Sequence, residues 1–330
     1  MNLNKRFSSL SALLMGLAFA GCLKAGVSYD YTVAKDGSGD FTSIQSAIDA
    51  TKAFPDEPIS IFIRNGVYEE KVRVYSWNTK LSLIGESQEN TIITYGDYFD
   101  KLALGRNSTF HTYTLKVEAN DFTMKNLTIE NSAGPVGQAV ALHVEGDRCH
   151  FENCRFLGHQ DTVYAAGEGA RQLFSACFIS GTTDFIFGEA TAAFYQCRIH
   201  SMSNSYITAA STQEHIPYGY LFLACELTAD EGVDAVYLGR PWRDFAKVAF
   251  VECHLGVHIL PEGWSNWSGT QRDQSAWYAE FKNEGPGAET TQRVAWSHQL
   301  TSAEAKDYTL DQFLNFGQKK WPINKSLNEK

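Results

Sequence analysis

A short pattern, Phe-x-x-Cys-x-apolar, recurs through the middle of this chain and constrains its fold more than any other feature. The five copies occupy residues 151–156, 174–179, 194–199, 222–227 and 250–255, and residues 125–129 resemble an earlier, degenerate copy. The copies follow one another every 20 to 28 residues. Repeats of this length with one strand-like segment each are typical of a stacked solenoid, and their β-rich composition predicts a β-helix.

Equivalent positions of a solenoid lie above one another, so the repeated cysteines are expected to form an inward ladder. Free cysteine packs well as a small apolar residue, which makes a buried thiol ladder the first expectation. In an exported protein neighbouring rungs could also be oxidised, and Cys177 and Cys197 are then a plausible disulfide pair. No C-x-x-C spacing suggests a metal site.

The rest of the chain contributes little helix, so the predicted fold class is all-β. A short capping helix is expected at residues 43–52, where Thr42 and Gln45 have the spacing of a capping box. No helix is predicted from there to about residue 260. After residue 256 the repeat fades into loops and short helices that should pack outside the solenoid, including one from Leu310 closed by Gly317.

Residues 1–21 have the pattern of a secretory signal peptide. Lys5 and Arg6 precede an apolar run that is too short to span a bilayer, and small residues follow it. An ordinary cleavage site and a lipoprotein-type site both fit, and the second would place a lipid anchor on Cys22. Residues 22–30 are then a linker. The expected location is outside a bacterial cytoplasm: periplasmic, anchored to the outer membrane or secreted.

Net charge excludes one class of partner. Loss of Lys5 and Arg6 with the leader changes the formal net charge from −10 to −12. Nucleic-acid affinity depends on neutralising phosphates, so an acidic chain is a poor candidate for it.

Polar residues in apolar surroundings mark the candidate site. Gln138, the pair Gln160-Asp161, and Asp184 are separated by 22 and 23 residues, about one repeat each. They should therefore stack on one face of the solenoid. A carboxylate is costly to bury unless it has a role, and two carboxylates with two amides could form a reaction centre. The alternative is a purely architectural polar ladder.

A second informative segment is Leu-Gly-Arg-Pro-Trp at residues 238–242. The guanidinium of Arg240 can hold a carboxylate with two hydrogen bonds, and Trp242 has a flat face of the kind that packs on sugar rings. Taken alone, the segment fits a turn with a surface tryptophan equally well.

Five segments together resemble the signature segments of the pectin methylesterase family. They are GVYEE from residue 66, QAVAL from 138, QDT from 160, DFIFG from 184 and LGRPW from 238, in the order that the family has. The resemblance covers nearly the whole chain after the leader. It implies a single domain at residues 31–322 with a right-handed parallel β-helix fold. It also implies a monomeric enzyme without cofactor or metal that hydrolyses galacturonate methyl esters in pectin to pectate and methanol.

The same resemblance implies the catalytic roles. Asp184 would be the nucleophile on the ester carbonyl. Asp161 would protonate the departing methanol and then deprotonate the incoming water. Gln138 and Gln160 would donate hydrogen bonds to the oxyanion. Arg240 would keep Asp184 ionised and oriented.

Substrate contacts follow from the resemblance as well. Trp242 and Phe187 would pack on the sugar chain, and Thr109 stands where the family has a substrate-contacting threonine. Gly66, Tyr68 and Glu70 carry no chemistry and are expected to be structural.

Two other readings remain open at this point. Another β-helix enzyme acting on polyuronides, a glycoside hydrolase or a lyase, would use stacked carboxylates differently. A non-catalytic carbohydrate-binding solenoid would use its polar residues as architecture. Asp184→Asn separates these classes, because it abolishes activity in an esterase and leaves binding largely intact in a binding module.

Overall fold

The computed structural model describes residues 28–316 and 319–323. The expectations for the leader, for Cys22 and for Gly317 therefore fall outside the described residues. Within them, no helix is both long and apolar enough to cross a membrane.

Three parallel sheets run along the molecule, and the chain visits them in turn, so that each circuit forms one rung. The strands of sheet A are Tyr31–Val33, Ile59–Ile63, Leu81–Gly85, Thr123–Lys125, Cys149–Glu152, Arg171–Ser175, Thr191–Tyr195, Tyr220–Leu223, Lys247–Val251, Trp277–Phe281 and His298–Gln299. Those of sheet B are Gly66–Glu69, Thr91–Tyr95, Thr128–Asn131, Arg155–Leu157, Phe178–Gly181, Arg198–Ser201, Glu226–Ala229 and His254–Leu255. Those of sheet C are Val72–Val74, Leu115–Val117, Leu142–Val144, Val163–Ala165, Ile186–Gly188, Tyr206–Ala210 and Tyr237–Gly239. All pairs of these strands are parallel, which confirms the predicted parallel β-helix.

The sequence repeat corresponds to the corner between sheets A and B. Its phenylalanine lies in a strand of sheet A with the ring inside the solenoid, and rings of successive rungs stack with centroids 4.3 to 4.8 Å apart. The residue before each cysteine position has a left-handed backbone, with φ between 47° and 56°, at Asn126, Asn153, Ala176, Gln196, Ala224, Glu252 and Lys282. One left-handed residue per rung turns the chain sharply into sheet B.

The cysteine ladder is present as predicted, in its reduced form. Cys154, Cys177, Cys197, Cys225 and Cys253 are buried free thiols. Each Sγ donates to a backbone carbonyl one rung earlier, with distances of 3.1 to 3.5 Å. Burial raises the pKa of the Cys177 and Cys197 thiols well above the ordinary value. These two residues form no disulfide in the structure.

The first helix, α1 (Ile44–Asp49), is shorter than the predicted helix at 43–52, and its cap differs. The N-cap is Ser43, whose hydroxyl accepts from the N–H three residues on. The expected cap at Thr42 was therefore wrong by one residue. The carboxylate of Glu70 accepts from the Ser43 hydroxyl and from two N–H groups of the first turn. An anion at a helix N-terminus satisfies N–H groups without other partners, which gives this residue a structural role.

The prediction of no helix between α1 and residue 260 was wrong. The chain forms α2 (Phe99–Leu102) and then a 3₁₀-helix, Gly105–His111, between a strand of sheet B and a strand of sheet C. These segments are too short for an apolar period to stand out in the sequence. They matter because they form one wall of the site described below.

After its last strands the chain packs against the outside of sheet A, as predicted. Helix α3 (Leu310–Leu314) begins at Thr309, whose hydroxyl accepts from the N–H of Gln312. Leu310, Phe313 and Leu314 are buried against the outer face of sheet A. A capping box also forms between Thr301 and Glu304, at the start of a 3₁₀-helix, Glu304–Tyr308.

Candidate active site

Two carboxylates lie side by side at the N-terminal ends of two neighbouring strands of sheet C. Val163 pairs with Ile186, and the N–H of Asp161 donates to the carbonyl of Thr183, so Asp161 and Asp184 occupy equivalent places on neighbouring rungs. Both have a left-handed backbone, with φ of 66° and 49°. Such a conformation costs free energy in residues other than glycine and is concentrated at functional sites.

A cavity of about 440 Å³ opens over this pair on the outer face of sheet C. All eight residues that the sequence analysis selected line it: Thr109, Gln138, Gln160, Asp161, Asp184, Phe187, Arg240 and Trp242. The structure therefore brings together residues that are up to 133 positions apart in the chain. The solenoid repeat accounts for this, because positions one rung apart in sequence are neighbours in space.

Arg240 is bound to Asp184 by two parallel hydrogen bonds. Its Nε lies 3.0 Å from Oδ1 of the aspartate, and its Nη2 lies 2.6 Å from Oδ2. The guanidinium is held between the rings of Tyr206 and Trp267, whose centroids lie 4.0 and 4.1 Å from Cζ. Two ring faces and a bidentate carboxylate leave this arginine little freedom, so it fixes the orientation of Asp184.

The two aspartates differ in electrostatic surroundings. Burial raises the pKa of Asp161 well above its ordinary value, and the negative charge of Asp184 raises it further, while Arg240 opposes the shift. Burial also raises the pKa of Asp184, but here Arg240 opposes through both hydrogen bonds and charge. No side-chain hydrogen bond to Asp161 is found in the described residues. The proton of the pair therefore resides preferentially on Asp161, and Asp184 is the carboxylate that ionises first.

The two glutamines lie on successive rungs beside the aspartates. Gln138 and Gln160 form a parallel β-bridge, and the carbonyl of Gln138 accepts from the N–H of Phe99 in α2. Neither side-chain amide has a hydrogen-bond partner among the described residues, and both line the cavity. Two unengaged amides beside a pair of carboxylates are suited to donate to an oxygen that gains charge.

Aromatic rings extend the site along the outer face of sheet C. Phe110, Tyr164, Phe187 and Trp242 follow one another with ring centroids 5.2, 4.6 and 5.9 Å apart, and we call this row the aromatic strip. Two of its members, Phe187 and Trp242, were expected from the sequence to contact a sugar chain. A pyranose ring has apolar C–H faces and a polar rim, so aromatic rings beside hydrogen-bonding groups are suited to bind it.

Five residues that line the cavity were not predicted. They are Phe99, Arg106, Phe110, Ala209 and Trp267. Phe99, Arg106 and Phe110 belong to the helical segment that the sequence analysis missed. Phe110 directly follows Thr109, so its place beside a predicted substrate contact could have been used to predict it. Ala209 lines the cavity because it pairs with Phe187 on the neighbouring strand of sheet C, and Trp267 lies in a loop that packs against Arg240.

The arrangement suits covalent carboxylate chemistry at a carbonyl carbon. It contains an oriented carboxylate, a neighbouring acid with a raised pKa and two free amide donors. Among residues 28–316 and 319–323, no group of three or more His, Cys, Asp or Glu side chains could hold a metal ion. The protein is therefore a parallel β-helix that has an open cavity over a pair of aspartates on the outer face of one sheet.

Comparison with known proteins gives the family. The family model described as Pectinesterase matches residues 30–317. Pectinesterase 31 of Arabidopsis thaliana is 37% identical over 293 residues, which is 86% of this chain and 91% of that protein. The chain spans only 58% of a Prunus persica protein named pectinesterase/pectinesterase inhibitor, with 36% identity over 88% of this chain. This chain belongs to the pectinesterase family of carboxylic ester hydrolases.

Solved structures agree with this placement. A pectin methylesterase from carrot superposes with a TM-score of 0.82 and 31% identity, covering 88% of this chain and 94% of that chain. The pectin methylesterase PemA from Erwinia chrysanthemi gives a TM-score of 0.77 and 28% identity, covering 90% of this chain and all of that one. The similarity confirms the right-handed parallel β-helix predicted from the sequence.

Proposed function

We propose that this protein hydrolyses galacturonate methyl esters in pectin, releasing methanol and leaving pectate. The observation that carries the proposal is the pair Asp161 and Asp184 on neighbouring rungs of one cavity, with Arg240 bound to the second and not to the first. Because the chain belongs to the pectinesterase family, the bond that it hydrolyses is an ester.

In the first half of the reaction the carboxylate of Asp184 attacks the ester carbonyl carbon. The carbonyl oxygen becomes an oxyanion that accepts from the amides of Gln138 and Gln160, a contribution of a few kcal/mol per donor. Asp161 gives its proton to the methoxy oxygen, and methanol leaves. The galacturonyl group is then joined to Asp184 as an anhydride.

In the second half Asp161, now ionised, removes a proton from a water molecule that attacks the same carbon. The bond to Asp184 breaks, and the galacturonate carboxyl group is released. Asp161 ends protonated and Asp184 ionised, so ester and water have become acid and methanol. The different pKa values of the two aspartates suit this exchange of roles.

The remaining predicted residues position the polymer. In this proposal Phe187 and Trp242 of the aromatic strip carry the sugar rings, and Thr109 of the 3₁₀-helix contacts the substrate in the same cavity. The chain is expected to act as a monomer without a cofactor.

The direct test is methanol release from highly methylated pectin, with and without a chelator, by the wild-type protein and Asp184→Asn. We expect release that a chelator does not change, that the variant lacks, and that occurs without shortening of the polymer. Release of reducing ends would indicate a glycoside hydrolase, and unsaturated ends would indicate a lyase. Binding of pectin without methanol release would indicate a carbohydrate-binding solenoid.

Export is part of the proposal, because residues 1–21 have the pattern of a signal peptide and pectin is an extracellular polymer. Mass spectrometry of the mature N-terminus tests it. A diacylglycerol-modified Cys22 would establish a lipid anchor, whereas a free N-terminus after residue 20 or 21 would establish ordinary secretion.

A further inference from the structure

Asn131 is a buried polar residue that the proposed mechanism does not use. It is the last residue of a strand of sheet B, and only 3% of it is exposed. Its Nδ2 donates to the carbonyls of Asp97, Thr112 and Val140, at distances of 2.9, 3.2 and 3.0 Å. Its Oδ1 accepts from the N–H of Ala133 at 3.0 Å. An amide nitrogen has two hydrogens, so three acceptors take up all that this group can donate.

Two of these acceptors, Asp97 and Thr112, are the ends of the segment that forms one wall of the cavity. Helix α2 and the 3₁₀-helix after it lie between them. Helix α2 buries no residue of its own, so its position depends on hydrogen bonds to the rest of the protein. One amide group, that of Asn131, therefore holds both ends of this wall.

The third acceptor, Val140, lies two residues after Gln138 in the chain. The N–H of Val140 donates to the hydroxyl of Thr112 at 2.9 Å, and the carbonyl of Gln138 accepts from the N–H of Phe99 at 3.0 Å. Just before Gln138 the chain runs through a turn and a bend, so regular strand pairing does not fix it on that side. The main chain of Gln138 thus rests on the wall whose ends Asn131 holds.

We propose that Asn131 is a positioning residue, which holds the amide of Gln138 where it can donate to the oxyanion. The inference rests on the proposed function, in which Gln138 is one of two oxyanion donors. Asn131 does not line the cavity, so it acts through the main chain of residues 138–140. A donor stabilises the transition state only if it is already in place when the charge develops, and a small displacement is costly.

Steady-state kinetics on methylated pectin test the inference. Gln138→Ala should lower kcat about 100-fold, because it removes one oxyanion donor. Asn131→Ala should lower kcat about tenfold and leave KM nearly unchanged, because a misplaced donor loses part of the same transition-state interaction.

Asn78→Ala is the matched control. Asn78 is also 3% exposed, and its Nδ2 donates to the hydroxyl of Thr51, just after α1 and outside the cavity. This variant should lose stability and keep the kcat of the wild-type protein. If Asn131→Ala does not fold, Asn131→Ser takes its place, because serine retains one donor.

A double-mutant cycle separates the positioning of Gln138 from a general loss of structure. In the Gln138→Ala background the amide that Asn131 positions is gone, so Asn131→Ala should lower kcat further by less than about twofold. In the Gln160→Ala background the full loss of about tenfold should remain. Equal losses in the two backgrounds, or an Asn131→Ala variant with the kcat of wild type, would overturn the inference.

Hydrogen exchange followed by mass spectrometry gives a readout that needs no activity. Asn131→Ala should speed exchange in peptides that cover residues 97–112 and 138–141, and Asn78→Ala should not. Exchange as slow as in the wild-type protein would contradict the proposed tie. Absence of methanol release by the wild-type protein would instead contradict the proposed function, while exchange would still decide whether Asn131 holds the main chain of Gln138.

Discussion

Asp161 and Asp184 have the same side chain and the same left-handed backbone, yet they are suited to different tasks. The difference comes from one arginine. Arg240 reaches Asp184 with two hydrogen bonds and opposes the effect of burial on its pKa, whereas Asp161 is buried with no such partner. In the proposed mechanism this difference makes one of two identical side chains the acid and the other the nucleophile.

Removal of Arg240 should move the acidic limb of the pH–activity profile. Arg240 lowers the pKa of Asp184, so Arg240→Gln raises it and less of the nucleophile is ionised at a given pH. We expect the acidic limb of kcat/KM to shift upward by about one to three pH units. Arg240→Lys keeps the charge but loses the planar pair of hydrogen bonds, and should shift the limb less. An unshifted acidic limb in Arg240→Gln would contradict the proposed role.

Asp161→Asn should lose activity and gain stability. The pKa of Asp161 is raised in the folded state, so folding favours its protonated form. Below the ordinary pKa of an aspartate this costs nothing, and as pH rises toward the raised value the ionised carboxylate increasingly destabilises the fold. The variant avoids that cost, on the order of 1–3 kcal/mol at high pH.

The measurement is Tm of wild type and Asp161→Asn across pH. We expect the difference in Tm between the two proteins to be smallest at low pH and to grow as pH rises. Asparagine also tolerates a left-handed backbone, which adds a gain that does not vary with pH. A constant difference would show that backbone conformation alone is responsible.

The residue types of the candidate site were predictable from the sequence because each stood in an unusual context, such as Asp184 between Thr183 and Phe185. Their backbone conformations were not, and of their partners only the pairing of Arg240 with Asp184 was expected, from the family resemblance. A left-handed φ at an aspartate and an arginine between two rings both depend on neighbouring rungs. Arg106 was not predicted either, since a single arginine in a short 3₁₀-helix has no distinguishing sequence context.

At the scale of elements, the corner between sheets A and B is the unit that repeats. It requires one left-handed residue per rung, and the chain supplies several different residue types there, including Ala176 and Ala224. A side chain other than that of glycine raises the energy of this conformation by roughly 1–2 kcal/mol. The corner is therefore maintained by the sheets on either side and not by local preference.

Glycine at such a corner should stabilise the protein. Ala224 is exposed with φ of 52°, so Ala224→Gly relieves the strain without leaving a buried cavity. The greater freedom of glycine in the unfolded chain offsets part of the gain, and we expect a net increase of about 0.5–1 kcal/mol in the free energy of unfolding.

Ala303→Gly is the control for this measurement. Ala303 is also exposed but has φ of −77°, so the same substitution should destabilise by about 0.5–1 kcal/mol. Denaturant unfolding of both variants gives the comparison. Destabilisation of similar size in both would contradict the account of the corner.

The sequence predicted the elements well where they repeat and poorly where they do not. The Phe-x-x-Cys pattern placed the A–B corners correctly because the same packing recurs on every rung. Helix α2 and the 3₁₀-helix after it occur once, and α2 buries no residue of its own. Their conformation depends on contacts with the site, such as the N–H of Phe99 donating to the carbonyl of Gln138.

At the scale of the whole molecule, stability rests on stacking along the axis and not on covalent links. All six cysteines of the described residues are buried free thiols. The single domain predicted for residues 31–322 and the monomeric state stay predictions, which one calorimetric transition and a sedimentation measurement would test.

A reductant should therefore leave the Tm of the protein unchanged. We also expect the buried thiols to be inert toward a thiol reagent in the folded protein and to react upon unfolding, because burial keeps them protonated. The measurement uses a Cys22→Ser background, so that all remaining cysteines are the six buried ones. A fall in Tm with reductant that disappears in Cys197→Ala would instead show a disulfide at Cys177 and Cys197.

Regular stacking also restricts the distances between equivalent residues on different rungs to multiples of one strand spacing. Neighbouring parallel strands are about 4.8 Å apart, so two residues at equivalent places are separated by a multiple of that spacing. The backbones of Asp161 and Asp184 are one step apart, and small changes in nearby packing cannot alter that step. In a solenoid of this kind, the separation of two carboxylates can change by a whole rung when one of them moves to another repeat. Intermediate separations of their backbones are not accessible.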